Sequence, residues 1–156
     1  MTLSIEPADF EDPSLGAFLE AHLADMAPQS PLESQHALDL AALRRPTVRL
    51  WTAQKDQRIV GTCALAVLEP GHEELKSMRT DPDFRGQGVA SRLLFHALED
   101  AAQRKLSRIS LETGAMEFFA PARSLYRKHG FQQCQPFGSY LEDPNSIYMT
   151  RVLELG

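Results

Sequence analysis

The chain has 156 residues, 43% of them hydrophobic and 24% charged, with a formal net charge of −5. These values are typical of a globular domain that buries its own core, so we expect one domain over residues 1–156 that needs no metal or disulfide for stability. The negative charge disfavours nucleic acid as a partner, and no membrane-spanning stretch or secretory signal stands out, which predicts a cytoplasmic protein with no membrane contact.

In chain order, the predicted elements of the first half are a strand at 3–5, helices at 13–26 and 34–43, and strands at 48–53, 59–68 and 74–80. Apolar residues at helical spacing indicate the two helices. The strand at 59–68 is apolar on both faces, which is typical of a sheet covered on both sides. Cys63 lies in this strand and is predicted to be a small buried side chain.

The second half is dominated by a helix at 88–105, whose apolar residues form one stripe. It is followed by a strand at 109–111, a helix at 121–129 and a last strand at 147–153, with room for one more strand after Phe131. Pro121 suits the first turn of its helix and Gly130 the left-handed residue that ends it. The order of elements predicts a mixed sheet with helices on both sides.

The cysteines and histidines give no metal signature. Cys63 and Cys134 are isolated, and no two of the five histidines stand four residues apart, so we expect no metal site.

A turn with two glycines joins the strand at 74–80 to the helix at 88–105, and it reads Arg85-Gly86-Gln87-Gly88-Val89-Ala90. The first N–H groups of a helix have no partner within the helix, and together with the helix dipole they attract anions. Glycines let a phosphate come close to the main chain. The turn therefore predicts a phosphate site, unless it is only a tight connection that binds nothing.

Three phosphate-binding patterns can be compared with this turn. The P-loop pattern is absent. The dinucleotide-binding fingerprint needs a third glycine where Ser91 stands, but Glu112 could serve as its ribose-binding acid, so an oxidoreductase stays open. The third pattern is Arg/Gln-x-x-Gly-x-Gly/Ala, which residues 85–90 match, and this loop resembles the coenzyme-binding loop of the GNAT N-acetyltransferase superfamily.

The resemblance to the GNAT superfamily extends beyond the loop. Residues 75–82 resemble its fourth strand and the exit from it, and residues 109–112 resemble its fifth strand. Ala122-Arg-Ser-Leu-Tyr-Arg-Lys-His-Gly-Phe131 is similar to its Ala-x-x-Leu-Tyr-x-x-x-Gly-Phe helix end. Because the motifs occur in the expected order, the chain is identified as a member of this superfamily. Residues 30–34 and 143–147 resemble a bacterial subgroup of small-molecule N-acetyltransferases.

Membership implies an α/β (α+β) fold with a mixed, mostly antiparallel sheet of six or seven strands and about four helices. It also implies transfer of an acetyl group from acetyl-CoA to a primary amine of a small molecule or peptide, by direct attack in a ternary complex. The residues implied in coenzyme binding are Met78, Arg79, Thr80, Arg85, Gly86, Gln87, Gly88, Val89, Ala90 and Phe119. A main-chain N–H near Met78 would meet the acetyl oxygen, in a cleft where strand 74–80 parts from strand 109–112. Phe119 departs from the family, since many members carry an asparagine there that contacts the pantetheine arm.

Two catalytic residues are expected from the same resemblance. Tyr126 would donate a proton to the departing thiolate, because a phenol is protonated at neutral pH, although it could equally be a core residue packed under Phe131. Glu74, Glu112 and His72 are candidates for taking the proton of the amine, and Glu74 is the first choice because its strand should border the cleft.

The alternatives to an enzyme of this kind are a module that binds acyl-CoA without catalysis and, less favoured, the dinucleotide-dependent oxidoreductase. The expected partner is a small-molecule amine, and a homodimer is one option for the assembly. The sequence does not identify the acceptor or the oligomeric state.

Overall fold

The structure, a computed structural model, describes residues 3–26 and 40–153. Its strands are β1 (Ser4–Pro7), β2 (Val48–Lys55), β3 (Arg58–Glu69), β4 (His72–Thr80), β5 (Arg108–Gly114), β6 (Gln132–Cys134) and β7 (Ser146–Val152). Its helices are α1 (Pro13–Met26), α2 (Leu40–Leu43), α3 (Val89–Gln103) and α4 (Ala120–Lys128), with short 3-10 turns at Pro82–Phe84 and Glu117–Phe119. The predicted elements are therefore confirmed, including the extra strand after Phe131. Of the helix predicted at 34–43, residues 34–39 lie outside the described residues.

The seven strands form one mixed sheet in the order β1-β2-β3-β4-β5-β7-β6. Every neighbouring pair is antiparallel except β4 and β5, which are parallel and are joined by α3 as the crossover helix. A dinucleotide-binding domain requires an open, mostly parallel sheet. The sheet thus agrees with the α/β fold that the GNAT resemblance implies and disagrees with the dinucleotide alternative.

The parallel pair β4–β5 opens after four residues. His72 to Leu75 pair with Arg108 to Leu111, whereas β4 continues to Thr80 and β5 to Gly114 without further pairing to each other. In the unpaired half of β4 a bulge at Ser77, with φ of 53°, interrupts its register with β3. The hydroxyl of Thr62 donates to the carbonyl oxygen of Ser77 at 2.8 Å and holds the bulge. The predicted parting of these strands is confirmed.

Apolar side chains cover both faces of the sheet. One core lies under α3 and α4, where α3 buries the stripe Val89, Leu93, Leu94, Ala97, Leu98 and Ala101. Full burial of each leucine contributes about 2 kcal/mol. The second core lies under α1 and α2 and includes Leu15, Leu19, Leu43 and Ile59. Because the apolar stripe fixes the rotation of α3, its first turn opens at the gap between β4 and β5.

Specific contacts fix the C-terminal ends of α3 and α4. Arg104, directly after α3, donates two hydrogen bonds to the carboxylate of Glu73 on β4, at 2.8 and 2.9 Å. After α4, Gly130 has φ of 90° and turns the chain so that the ring of Phe131 packs 5.9 Å from the ring of Tyr126. The predicted helix end and its aromatic contact are confirmed. None of the helices within the described ranges has the length and hydropathy needed to cross a membrane.

Candidate active site

A cleft of about 470 Å³ adjoins the end of β4, beyond the point where β4 parts from β5. It is lined by the end of β4, the turn that follows, the first turn of α3, the 3-10 turn before α4 and one face of α4. The lining residues are Met78, Arg79, Thr80, Phe84, Arg85, Gly86, Gly88, Val89, Ala90, Ser91, Phe118, Phe119, Pro121, Ala122, Leu125 and Tyr126. All the predicted coenzyme-binding residues except Gln87 lie in this lining, as does Tyr126, whereas the candidate bases Glu74, Glu112 and His72 do not.

The floor of the cleft is the start of α3, and its geometry suits an anion. Gly86 and Gly88 have φ of 77° and 81°, a conformation that side chains disfavour, and a Cβ on either would meet no atom within 4 Å. Gly88 precedes the helix, and no side chain in the described part of the chain caps its first turn. Open space above unpaired main-chain N–H groups is what a bound diphosphate requires, so these residues fit the coenzyme.

Gln87 lies in the same turn, but its side chain is engaged elsewhere. The ammonium of Lys55, at the end of β2, donates to the amide oxygen of Gln87 at 3.1 Å. The side chain of Gln87 therefore braces the turn against the β2–β3 hairpin, and only its main chain is available to a ligand in the cleft.

The opposite wall is aromatic. The ring of Phe119 stands edge-on to the ring of Phe118 at 4.9 Å between centroids. It also covers Gly114 so closely that a Cβ on this glycine would lie 2.0 Å from the ring. Phe119 is thereby held in place, and the cleft presents an apolar surface where many GNAT proteins present an asparagine.

Tyr126, on α4, belongs both to the core under α3 and α4 and to the lining of the cleft. It is 6% exposed and packs on Phe131, so both predicted properties, a core contact and a place in the cleft, are present together. Burial raises the pKa of its hydroxyl, and the charge of Glu112 adds to the rise. The phenol is therefore protonated throughout the neutral range.

Glu74 lies on the face of the sheet opposite α3, outside the cleft lining. The residue is buried, with 6% of its surface exposed. Its carboxylate accepts hydrogen bonds from the hydroxyl of Tyr140 at 2.5 Å and the ammonium of Lys76 at 3.1 Å. Its strand does border the cleft, as predicted, but through other residues. The signal for its partner Tyr140, 66 positions further along, is absent from the local sequence.

His72 is bonded through both ring nitrogens. Nδ1 lies 3.4 Å from a carboxylate oxygen of Glu69 and Nε2 lies 2.7 Å from the hydroxyl of Ser110. The arrangement has the residue types of a hydrolase triad, but Ser110 is 1% exposed and its oxygen is 2.8 Å from the hydroxyl of Thr150. No substrate can reach that serine, so the chain of contacts serves to join β4, β5 and β7.

Glu112 is the third candidate base and lies on the same face as Glu74, near the end of β5. It is half-buried and accepts a hydrogen bond from the hydroxyl of Ser146 at 2.7 Å. Burial is the main reason that the pKa values of Tyr126, Tyr140 and Tyr148 lie above the ordinary value, and the charge of Glu112 adds to the rise at all three. The carboxylate of Glu112 thus lies electrostatically close to the cleft tyrosine, which distinguishes it from Glu74 and His72.

Ala122 and Leu125, two positions of the helix-end motif, share a helix face with Tyr126 at the spacing i, i+3, i+4 and line the cleft. Phe84 and Phe118 also line the cleft, and neither was singled out from the sequence because no local pattern marks them. Among the residues that the structure describes, no three histidine, cysteine or acidic side chains come together in a way that could hold a metal ion.

A mixed sheet that opens at its parallel pair, with a glycine turn and an uncapped helix beside the opening, is the architecture of acyl-CoA N-acyltransferases. An acyl-CoA N-acyltransferase from Klebsiella pneumoniae has a similar structure, with a TM-score of 0.83 and 29% identity over 98% of this chain and 99% of that one. Residues 15–131 match the Acetyltransferase (GNAT) family, and the chain belongs to this family.

Two bacterial proteins are similar over nearly their whole lengths. The uncharacterized N-acetyltransferase YedL of Escherichia coli is 43% identical over 96% of this chain and 94% of its own. The uncharacterized N-acetyltransferase YsnE of Bacillus subtilis is 46% identical over 88% of this chain and 91% of its own. The protein is accordingly an acetyltransferase, and its expected place among bacterial GNAT N-acetyltransferases is confirmed.

Proposed function

We propose that the protein transfers the acetyl group of acetyl-CoA to a primary amine of a small molecule or a peptide, by direct attack in a ternary complex. The observation that carries this proposal is the cleft at which the uncapped first turn of α3 adjoins the parted strands β4 and β5. GNAT acetyltransferases use acetyl-CoA and act on small-molecule or peptide amines, which supports both the donor and the class of acceptor.

Acetyl-CoA, when bound, supplies an acetyl group activated as a thioester. The main-chain N–H groups of residues 85–90 would hold its diphosphate, and the exposed side chain of Arg85 would add positive charge. Main-chain groups of Met78 and Thr80 would align the pantetheine arm along the unpaired part of β4, with Phe119 as the apolar wall. An N–H near Met78 would stabilise the negative charge that develops on the acetyl oxygen.

Two proton transfers complete the reaction. Tyr126 holds its proton at neutral pH because burial raises its pKa, so it is suited to protonate the departing thiolate. The acceptor ammonium must lose a proton before it attacks, and the sheet face opposite α3 offers Glu112 and Glu74 for this role. We favour Glu112, since it lies in the part of β5 that has parted from β4 and its charge adds to the raised pKa of Tyr126.

Two measurements test the proposal. Calorimetry should show binding of acetyl-CoA and CoA and no binding of NAD. A thiol-release assay over amino acids, polyamines, aminoglycosides and short peptides should then show release that depends on an amine. Binding without release for any amine would identify a non-catalytic acyl-CoA module, and a preference for NAD would overturn the proposal altogether.

A further inference from the structure

Three polar side chains form a closed triangle on the sheet face opposite α3. The hydroxyl of Tyr140 donates to Glu74 at 2.5 Å, and the ammonium of Lys76 donates to Glu74 at 3.1 Å and to the hydroxyl of Tyr140 at 3.0 Å. The side chains of Glu74 and Lys76 are 8% and 10% exposed. The opposite charges of Glu74 and Lys76 meet in a buried place and share the hydroxyl of Tyr140 as a third polar partner. The triangle is therefore a stable contact, because neither buried charge is left without compensation.

The triangle ties a remote part of the chain to β4. Tyr140 belongs to the segment between β6 and β7, residues 135–145, here called the β6–β7 segment. Its ring packs against the rings of Phe137 at 5.2 Å and Tyr148 at 5.5 Å, and the hydroxyl of Tyr148 donates to the carbonyl oxygen of Leu141 at 2.8 Å. The segment is therefore held across the sheet at two points, one on β4 and one on β7.

The position of this segment matters for the acceptor. α3 and α4 cover one face of the gap between β4 and β5, so an amine must approach the thioester from the other face. The β6–β7 segment lies on that face, and it leads directly into Ser146, whose hydroxyl bonds Glu112. Any movement of the segment would change the shape of the approach.

We propose that Glu74, Lys76 and Tyr140 form a latch that fixes the β6–β7 segment on the acceptor side of the sheet, and that Tyr140 is a positioning residue for acceptor binding. This inference rests on the proposed function, and it assigns Glu74 a role in holding the acceptor site together. The hydroxyl of Tyr140 is available as a donor over the whole physiological range, because burial and the neighbouring charge of Glu74 raise its pKa.

Tyr140→Phe tests the latch, with Tyr148→Phe as the matched control. Each variant loses one phenol hydroxyl that anchors the same segment, but only Tyr140→Phe removes a bond to Glu74. Hydrogen exchange of the protein without ligands should become about tenfold faster at the amides of residues 137–146 in Tyr140→Phe, which is the effect of losing a hydrogen bond to a charged group.

Steady-state kinetics supplies the second readout, with acetyl-CoA and the amine from the panel above that reacts fastest. Tyr140→Phe should raise the KM for this amine at least fivefold while kcat and the Kd for acetyl-CoA change less than twofold. Tyr148→Phe should raise the KM less than Tyr140→Phe does, because its hydroxyl bonds a neutral carbonyl oxygen and not a carboxylate. Adding Glu74→Gln to Tyr140→Phe should raise the KM no further, because the two residues act through one contact.

Several results would overturn the inference. Unchanged exchange and KM in Tyr140→Phe would do so, and so would an equal loss of acetyl-CoA affinity, which indicates a general loosening. If Tyr140→Phe does not fold, Lys76→Met must reproduce the faster exchange and the higher KM, and wild-type values in that variant count against the latch. Failure of the proposed function is distinguishable, because the wild-type protein would then either not bind acetyl-CoA or bind it without amine-dependent thiol release, while the exchange measurement stays interpretable.

Discussion

Tyr126 combines two features that a proton donor in this cleft needs, a place in the cleft lining and a pKa raised mainly by burial. Tyr126→Phe keeps the ring that packs on Phe131, so we expect the folded state to be retained. Turnover should fall about 10²-fold, which is the low end for losing a general acid, while the Kd for acetyl-CoA stays within threefold. Thiol release and calorimetry measure the two quantities, and unchanged turnover would refute the assignment.

Two carboxylates lie on the acceptor side, and charge-neutral variants distinguish their roles. Glu112→Gln should lower kcat/KM about 10²-fold and remove the acidic limb of the pH–rate profile, because the proton acceptor is lost. Glu74→Gln should keep that limb and raise the KM for the amine instead. If Glu74→Gln removes the limb and Glu112→Gln does not, the base is Glu74, as the sequence first suggested.

Most individual residues of the candidate site could be predicted from the sequence, because they stand in short motifs. Gly86 and Gly88 stand out as a two-glycine turn before a helix, and Tyr126 was recognised from the resemblance to the GNAT helix end. The choice among Glu74, Glu112 and His72 could not be made in this way, since it depends on contacts with Tyr140, Ser146 and Ser110, which come from distant strands or loops. Long-range contacts of this kind leave no local pattern.

Among the elements, the turn between β4 and α3 is the one on which coenzyme binding depends. Gly71 and Gly88 have the same φ of 81° but lie in different turns, so they form a matched pair. Changing either to alanine should cost about 1 kcal/mol of unfolding free energy, because a side chain disfavours this conformation. Gly71→Ala should cost somewhat more, since its Cβ would also lie 3.2 Å from the hydroxyl oxygen of Ser107. Only Gly88→Ala should also weaken acetyl-CoA binding, by at least tenfold, since its methyl group would project into the open space above the turn.

Urea unfolding and calorimetry on both variants measure these effects. Wild-type affinity for acetyl-CoA in both variants would show that the turn does not contact the coenzyme. A similar loss of affinity in both variants would show that the effect comes from stability alone.

The helices and strands could be predicted from the sequence where their pattern of apolar residues was strong. The apolar stripe of α3 and the doubly apolar β3 predict both their type and their burial. The bulge in β4 was not predictable, because Ser77 looks like an ordinary polar residue and adopts φ of 53° only in the context of β3 and Thr62. The aromatic wall was missed for a similar reason, since Phe119 meets Gly114 only after the chain has turned back on itself.

At the scale of the whole molecule, the three tyrosines should make the free energy of unfolding depend on pH in the alkaline range. In the unfolded chain a phenol ionises near pH ~10, whereas burial raises the pKa of Tyr126, Tyr140 and Tyr148 in the folded chain. Below that pH both states hold their protons, so the contribution is constant. Above it only the unfolded state loses protons, and the free energy of unfolding should fall as the pH rises.

Tyrosinate absorbance and urea midpoints between pH 8 and pH 11 would check this expectation. We expect little tyrosinate signal while the circular dichroism is native, and its appearance together with unfolding. A tyrosine that ionises near its ordinary pKa in the native protein would contradict the burial described above.

The arrangement of the sheet was only partly predictable. The order of elements indicates a mixed sheet, but the insertion of β7 between β5 and β6 does not follow from any local pattern. The family resemblance predicted a mixed, mostly antiparallel sheet of six or seven strands but did not specify this strand order. The acceptor site depends on this insertion, because β7 brings Ser146 and Tyr148 beside β5.

The central claim is that main-chain N–H groups of residues 85–90 hold the diphosphate of acetyl-CoA, and a crystal structure of the complex tests it most directly. We predict diphosphate oxygens within about 3.2 Å of these nitrogens, with the thioester in the gap between β4 and β5. Acetyl-CoA bound elsewhere, with no phosphate oxygen in contact with the turn, would contradict the account.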